Sequence, residues 1–144
     1  MRKLTIIIPA FNEEHTIQEV IGKVFNQPLN NCEKEVIIVD DGSTDDTNKI
    51  LTNLKSQLDF ILLTHAKNLG KGEAIKTALN LASGDYFLIQ DADLEYNPAD
   101  WPILLEKVKD STNIIVFGSR ELSPQRRGYA HCVLGVKLLT ALIN

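Results

Sequence analysis

Residues 36–46 read VIIVDDGSTDD, a run of four apolar, β-branched residues that passes directly into an acidic turn. Consecutive apolar residues without polar alternation are typical of a strand buried on both faces, as in a parallel sheet. The apolar residues that follow repeat with helical spacing and form one face: Ile50, Leu51, Leu54 and Leu58. The stretch therefore predicts a strand, a turn and a helix, which is the repeating unit of an α/β fold.

Similar units recur along the whole chain. Four further apolar runs predict buried strands: Leu4 to Ile8, Phe60 to Thr64, Tyr86 to Ile89 and Ile114 to Phe117. Three further segments have helical spacing: Ile17 to Phe25, Ala74 to Leu79 and Trp101 to Val108, the last capped by Asn97 with Pro98 following. Successive strands begin 24 to 32 residues apart. Because that spacing suits a right-handed crossover, we predict a doubly wound, mainly parallel α/β sheet.

The composition is that of one soluble globular domain over residues 1–144, with 44% apolar and 24% charged residues. The net charge of −4 gives no reason to expect nucleic-acid binding. Cys32 and Cys132 stand far apart without metal-ligand spacing, so we expect free thiols in a cytoplasmic setting, and neither zinc nor disulfides. No apolar run approaches the roughly 20 residues of a membrane-spanning helix.

Five loops follow the predicted strands, and these are the candidates for a binding site. In a doubly wound sheet, ligands bind beyond the carboxyl ends of the strands, where loops and helix amino termini converge. The loops are Pro9 to Glu14, Asp40 to Asp46, Lys67 to Glu73, Asp91 to Tyr96 and Gly118 to Glu121.

The loop that begins at Asp91-Ala92-Asp93 predicts a metal site. Carboxylates two residues apart in an extended segment point the same way, and hard oxygen ligands suit Mg²⁺ or Mn²⁺. The alternative is that both aspartates cap the turn before Asn97. Clustered carboxylates repel one another without a cation, which favours the metal. Glu95 is either a further ligand or a solvated turn residue.

The loops after the first two strands predict contacts to a nucleotide. Ser43 and Asp46 have the spacing of a capping box for the following helix. That role leaves Asp41 as a carboxylate at the strand end, where it can accept hydrogen bonds from a base or ribose. Phe11 either stacks on a nucleobase or packs in the core. The alternative for Glu13 and Glu14 is that they stand in the first turn of a helix because the helix dipole favours acidic residues there.

The two remaining loops predict contacts to phosphate. The segment from Asn68 to Glu73 lacks the spacing of a phosphate loop, so it is either a tight turn or a backbone that lines a nucleotide pocket together with Lys71 and Gly72. Arg120 follows the predicted fifth strand, and its guanidinium matches phosphate geometry. A solvated basic surface is the alternative for the neighbouring arginines.

In this order the loops resemble the family 2 glycosyltransferases with the GT-A fold, particularly the dolichyl-phosphate mannose and related polyprenyl-phosphate sugar synthases. Five segments carry the resemblance: IPAFNE at 8–13, VDDGS at 39–43, NLGKG at 68–72, DADL at 91–94 and GSR at 118–120. It implies a nucleoside site at Pro9, Phe11, Glu13, Val39 and Asp41, and a metal at Asp91 and Asp93. The donor site then includes Ala10, Lys71, Gly72, Ala92 and Arg120, with Asp93 and Arg120 as catalytic residues. Glu95 stands where relatives often have glutamine.

The resemblance further implies an inverting transfer of a sugar from a nucleoside diphosphate to a polyprenyl phosphate or another lipid or glycan acceptor. Relatives continue beyond this length, so we expect an acceptor-side segment to be missing here. The apolar run from Cys132 to Ile143 either packs on the sheet or contacts a membrane at its cytoplasmic face. The alternative is a noncatalytic binding module, or a subunit completed by another chain. A dehydrogenase is excluded because no GxGxxG follows Ile8.

Overall fold

The computed structural model describes residues 2–30, 32–108 and 116. Within these residues, strands and helices alternate, as the sequence predicts. The strands are β1 (Arg2–Ala10), β2 (Cys32–Asp40), β3 (Ile61–Thr64) and β4 (Tyr86–Ile89). The helices are α1 (Ile17–Asn26), α2 (Thr47–Lys55), α3 (Lys71–Leu79) and α4 (Trp101–Val108), the last preceded by a 3₁₀ turn at Pro98–Asp100.

The four strands form one sheet in the order β3-β2-β1-β4, and every neighbouring pair is parallel. β1 is central, with Ile7 opposite Ile37 of β2 on one side and Ile89 of β4 on the other. The chain therefore builds the sheet outward in one direction from β1 to β3, and then crosses to the other side of β1. This confirms the predicted doubly wound α/β fold. The predicted fifth strand lies outside the described residues except for Val116.

The central strands are buried on both faces, and the outer ones are not. Ile7, Ile37 and Val39 pack against Ala74 and Ala78, whose small side chains let α3 lie close to the sheet. Every residue from Leu4 to Ile8 and from Val36 to Asp40 is buried. In β4, by contrast, Phe87 and Ile89 are 53% and 48% exposed, and Ile61 of β3 is also exposed. The prediction that all strands are buried on both faces is therefore wrong for β3 and β4, because both lie at the edges of the described sheet and α3 packs mainly against β1 and β2.

The side chain of Lys34 in β2 caps the carboxyl end of α1. The Lys34 ammonium donates to the carbonyl oxygens of Val24, Phe25 and Gln27 at 2.7, 3.1 and 2.8 Å. These carbonyls end α1 and have no partner within the helix, so the lysine acts as its carboxyl-terminal cap. Burial lowers the pKa of Lys34.

The helix starts show one correct and one wrong prediction. The Asn97 side chain accepts from the Ala99 N–H at 3.1 Å, with Pro98 following, so this predicted cap is confirmed. The predicted capping box at Ser43 and Asp46 is wrong. The structure begins α2 after Asp46, whose side chain makes no capping hydrogen bond. The Ser43 hydroxyl instead accepts from the backbone N–H of Asn12.

The half-buried carboxylate of Glu35 fixes the segment that enters β4. Glu35 accepts from the backbone N–H and hydroxyl of Ser83 at 2.9 and 2.6 Å, and also from Thr5 and Lys3. Burial alone would raise the pKa of Glu35, but these hydrogen bonds outweigh it and lower the pKa to about 2. The carboxylate therefore joins β2 to the start of β4 across β1.

By its contacts the chain divides into two compact units, Met1–Pro102 and Ile103–Asn144. The whole sheet and the loops that follow its four strands belong to the first unit. Among the described helices, none combines the length and apolar character needed to cross a membrane.

Candidate functional site

A cleft of about 300 Å³ opens at the carboxyl edge of the sheet. The loops after all four strands contribute to it: Pro9, Ala10, Phe11, Glu13, Asp41, Asn68, Gly70, Lys71, Asp91, Ala92 and Asp93. The cleft lies where the strand order reverses between β1 and β4, the position at which doubly wound sheets bind ligands. Its volume is at the lower end of the range for small-molecule sites.

The structure gathers most of the predicted site residues in this cleft, but not all of them. Val39 is fully buried in the core against α3, Gly72 is exposed in the first turn of α3, and Glu95 is exposed. None of these three lines the cleft. Arg120 lies outside the described residues. Two further lining residues, Asn68 and Gly70, belong to the segment from Asn68 to Glu73, for which the sequence predicts pocket backbone as one alternative but does not single out these two residues.

The loop after β1 is joined to the loop after β2 and to the start of α2 by hydrogen bonds between backbone N–H groups and side chains. The Asn12 N–H donates to the Ser43 hydroxyl at 3.0 Å, and the Asn12 side-chain oxygen accepts from the Thr44 N–H at 2.8 Å. The Glu13 N–H donates to the Thr47 hydroxyl at 2.8 Å. Asn12 adopts a φ of +55°, a left-handed conformation that asparagine tolerates well. These bonds fix the loop that presents Phe11, which is 40% exposed, at the cleft.

The two adjacent aspartates at the end of β2 have different roles. Asp40 is buried and accepts from the Ser43 N–H at 3.0 Å and from the Asn48 amide at 2.6 Å. It therefore shapes the turn between β2 and α2. Asp41 is also buried, but it lines the cleft. The sequence predicts the role of Asp41 and does not distinguish that of Asp40.

Asp41 binds the loop that precedes α3. One carboxylate oxygen accepts from the Leu69 N–H at 2.9 Å and lies 2.6 Å from His65 Nδ1, while the other accepts from the Gly70 N–H at 2.7 Å. Burial would raise the pKa of Asp41, but hydrogen bonds from His65, Leu69 and Gly70 outweigh it, and the pKa is lowered. Asp41 is therefore an ionised carboxylate held at the wall of the cleft. His65 gave no sequence signal of this role.

Gly42 packs closely against the backbone of the loop that precedes α3. Gly42 has a φ of +73°, and a Cβ built on it would lie 2.4 Å from the carbonyl carbon of Lys67 and 2.8 Å from the nitrogen of Asn68. No side chain fits there without a shift of that backbone. Glycine at this position therefore lets the two loops approach each other.

A buried glutamine shapes the turn after β4. Gln90 donates to the carbonyl oxygens of Asp91 and Tyr96, both at 3.1 Å, and accepts from the Trp101 indole at 3.3 Å. Leu94 within this turn has a φ of +64°, which costs a branched residue about 1–2 kcal/mol. The only sequence signal for Gln90 is a polar residue directly after an apolar strand.

Asp91 and Asp93 both line the cleft, and their oxygen ligands suit a divalent cation. Within the part of the chain that the structure describes, no three His, Cys, Asp or Glu side chains form a group that could hold a metal. Mg²⁺ is commonly bound by only one or two carboxylates, with water and substrate phosphate completing its coordination. The pair therefore fits an ion shared with a phosphorylated ligand. The Asp93 carboxylate also accepts from the Glu95 N–H at 3.0 Å.

The cleft combines charges of both signs. The Lys71 ammonium lies 2.6 Å from Asp91 and is 57% exposed. α3 begins beside it, after Gly70, and a helix amino terminus carries partial positive charge that favours anions. A phosphate and a metal ion can thus be neutralised side by side in this cleft.

Comparison with known proteins shows the family to which this chain is similar. Residues 5–132 match the model of glycosyl transferase family 2. The dolichol-phosphate mannosyltransferase of Pyrococcus furiosus is 33% identical over 118 residues, which are 82% of this chain and 33% of that protein. A mannosyltransferase from Pyrobaculum calidifontis, solved with GDP-Man and Mn²⁺, superposes with a TM-score of 0.67 at 29% identity, covering 76% of this chain and 33% of that one.

Staphylococcus aureus TarS, solved with UDP, gives a TM-score of 0.63 at 29% identity, covering 74% of this chain and 32% of that one. The structural neighbours confirm the expected GT-A fold. The chain spans about half or less of the length of the curated relatives that it matches. With a family model that matches most of the sequence and relatives above 30% identity, the chain belongs to glycosyl transferase family 2.

Proposed function

We propose that the cleft binds a nucleoside diphosphate sugar together with Mg²⁺ or Mn²⁺, and that it supplies the donor side of an inverting glycosyl transfer. The observation that carries this proposal is that one cleft contains the ionised carboxylate of Asp41, the ammonium of Lys71 and the carboxylates of Asp91 and Asp93. The GDP-Man, Mn²⁺ and UDP bound to the structural neighbours support the same ligand class.

The nucleoside is assigned to the side of the cleft formed by β1 and β2. Phe11 offers an exposed ring on which a base can stack, a contact worth about 1–3 kcal/mol in nucleic-acid complexes. Asp41 is an acceptor there for a base or ribose donor. Pro9, Ala10 and Glu13 line the same cleft.

The diphosphate is assigned to the side formed by α3 and β4. Lys71 and the amino terminus of α3 provide the positive charge, while Asp91 and Asp93 would hold the divalent ion. When bound, the ion would act as a Lewis acid that neutralises the departing diphosphate. Arg120 is a further proposed phosphate contact, carried over from the family pattern.

For the acceptor we propose a polyprenyl phosphate at the cytoplasmic face of a membrane. The support is the similarity to the dolichol-phosphate mannosyltransferase of Pyrococcus furiosus. A phosphate oxygen is already anionic at neutral pH, so attack on the sugar would need no strong protein base.

The test is calorimetric titration of the 144-residue protein with UDP-, GDP- and dTDP-sugars, with and without Mn²⁺. Asp93→Asn removes the negative charge of one proposed ion ligand, and we expect it to weaken Mn²⁺-dependent binding by at least about tenfold, since loss of even an outer-shell partner costs that much. Asp59→Asn is the matched control. Asp59 is exposed and precedes β3, at the opposite edge of the sheet from the cleft.

Binding that is independent of Mn²⁺, or equal losses in the two variants, would contradict the proposed ion site. Failure of every nucleoside diphosphate sugar to bind would contradict the proposed function as a whole.

A further inference from the structure

His65 contacts the Asp41 carboxylate, which lines the cleft, but does not line the cleft itself. We propose that His65 is a positioning residue for nucleobase recognition, because it fixes the Asp41 carboxylate so that one oxygen lone pair remains for a base N–H. This inference rests on the proposed function. It assigns no contact between His65 and the ligand.

The proton positions follow from the chemistry of the three side chains in this contact chain. Asp41 is ionised at neutral pH and can only accept, so His65 Nδ1, 2.6 Å away, must carry a proton. In the neutral ring, His65 Nε2 is then an acceptor. The Thr77 hydroxyl of α3 lies 3.0 Å from Nε2 and can donate a hydrogen bond to it. The acceptor-only carboxylate of Asp41 therefore sets the tautomer, and the Thr77 hydroxyl, which can donate or accept, helps to orient the ring.

The count of acceptor sites defines what is left for a ligand. A carboxylate offers about four lone-pair sites. His65 and Leu69 use two on one Asp41 oxygen, and Gly70 uses one on the other. The side chain of Asp41 is only 4% exposed, yet it lines the cleft. The remaining site can accept one hydrogen bond, as from the ring N–H of uracil or guanine.

The backbone at His65 is held independently of its side chain. The His65 N–H donates to the Asp40 carbonyl oxygen at 2.9 Å, continuing the pairing of β2 and β3. Replacing the ring therefore removes the contact to Asp41 while the strand end stays in place. Without that contact, the Asp41 oxygen shared with Leu69 has one tether fewer, and the carboxylate can rotate away from the base.

Two amide substitutions test the roles of the two ring nitrogens of His65 separately. His65→Asn places an amide N–H close to the position of Nδ1, so it retains the bond to Asp41. His65→Gln extends its amide toward the position of Nε2 and Thr77, so it loses that bond. Thr77→Val removes the hydrogen bond that helps to orient the ring at Nε2.

The experiment is calorimetric titration of the 144-residue protein and these three variants with UDP, GDP and inorganic pyrophosphate, all with Mn²⁺. For whichever nucleotide the unsubstituted protein binds, we expect His65→Gln to weaken affinity by at least about tenfold, the effect of one charge-assisted hydrogen bond. His65→Asn should stay within about threefold, and Thr77→Val should fall between them. Pyrophosphate carries no base, so its affinity should be the same in all four proteins. Thermal unfolding midpoints check that each variant is folded.

Equal behaviour of His65→Asn and His65→Gln, or a parallel loss of pyrophosphate binding, would overturn the role of His65 while leaving the proposed function intact. If the unsubstituted protein binds neither UDP nor GDP, the proposed function fails, and this inference fails with it.

Discussion

Replacing Gly42 with alanine should destabilise the protein more than any other glycine substitution beside the cleft. A left-handed φ of +73° costs alanine about 1–2 kcal/mol. The new Cβ would also meet the Lys67 backbone at 2.4 Å, about 1 Å short of ordinary contact. Overpacking of this kind typically costs a further 1–3 kcal/mol. The expected loss of about 2–5 kcal/mol is a large part of the roughly 5–15 kcal/mol that stabilises a domain.

Substitutions at two other glycines, Gly70 and Gly72, separate the backbone cost from the steric cost of Gly42→Ala. Gly70 has a φ of +91° with nothing within 4 Å of a built Cβ, so Gly70→Ala carries only the backbone cost of about 1–3 kcal/mol. Gly72 lies inside α3 and also faces open space. Gly72→Ala should stabilise the protein by about 0.5–1 kcal/mol, because alanine is the better helix former.

The assay is urea unfolding followed by the fluorescence of Trp101, the single tryptophan of the chain, which is buried in the folded state. Binding of UDP or GDP gives a second measurement. A shift of the Lys67 backbone displaces the N–H groups that Leu69 and Gly70 offer to Asp41, so Gly42→Ala should also weaken nucleotide binding. If Gly42→Ala is no less stable than Gly70→Ala, the steric argument is wrong.

Three further predictions concern charged side chains. Lys34→Met removes three donors from the end of α1 and should lower the free energy of unfolding by about 2 kcal/mol in urea titrations; unchanged stability would contradict the capping role. The lowered pKa of Glu35 means that its contribution to stability is complete above pH 4.5 and is lost as the pH falls toward about 2. Glu35→Gln should flatten the pH profile of thermal unfolding in that window, and an unaltered slope would refute the assignment. Lys71→Met removes the half-exposed ion pair between Lys71 and Asp91. Calorimetry should then show Mn²⁺ alone binding up to about fivefold more tightly. Weaker binding would show that Lys71 does not compete with the ion.

The sequence was sufficient for features that depend on local patterns. Strands β1, β2 and β4 follow from apolar runs, and α1 follows from the helical spacing of its buried residues. The carboxyl-end rule for parallel sheets then placed Asp41, Lys71 and Asp91 in one region, and the structure brings them to one cleft.

Features that depend on distant partners could not be read in this way. The Ser43 hydroxyl is taken by Asn12, 31 residues earlier, so a capping box that is correct in spacing does not form. His65 meets Asp41 across 24 residues, and no local motif marks the pair. Val39 belongs to the matched segment of the family pattern, yet its side chain faces α3, because side chains alternate along a strand.

The strand order has a consequence for how the protein is made. Tyr86 of β4 pairs with Leu4 of β1, so the last wall of the cleft joins the first strand across more than eighty residues of chain. A nascent chain that has completed only β1, β2 and β3 has half of the cleft and lacks both Asp91 and Asp93. Because a ligand stabilises only the state that binds it, a nucleotide with its metal would favour the chain in which β4 has docked. Ligand protection during refolding would thus report the docking of β4, a step that depends on long-range contacts.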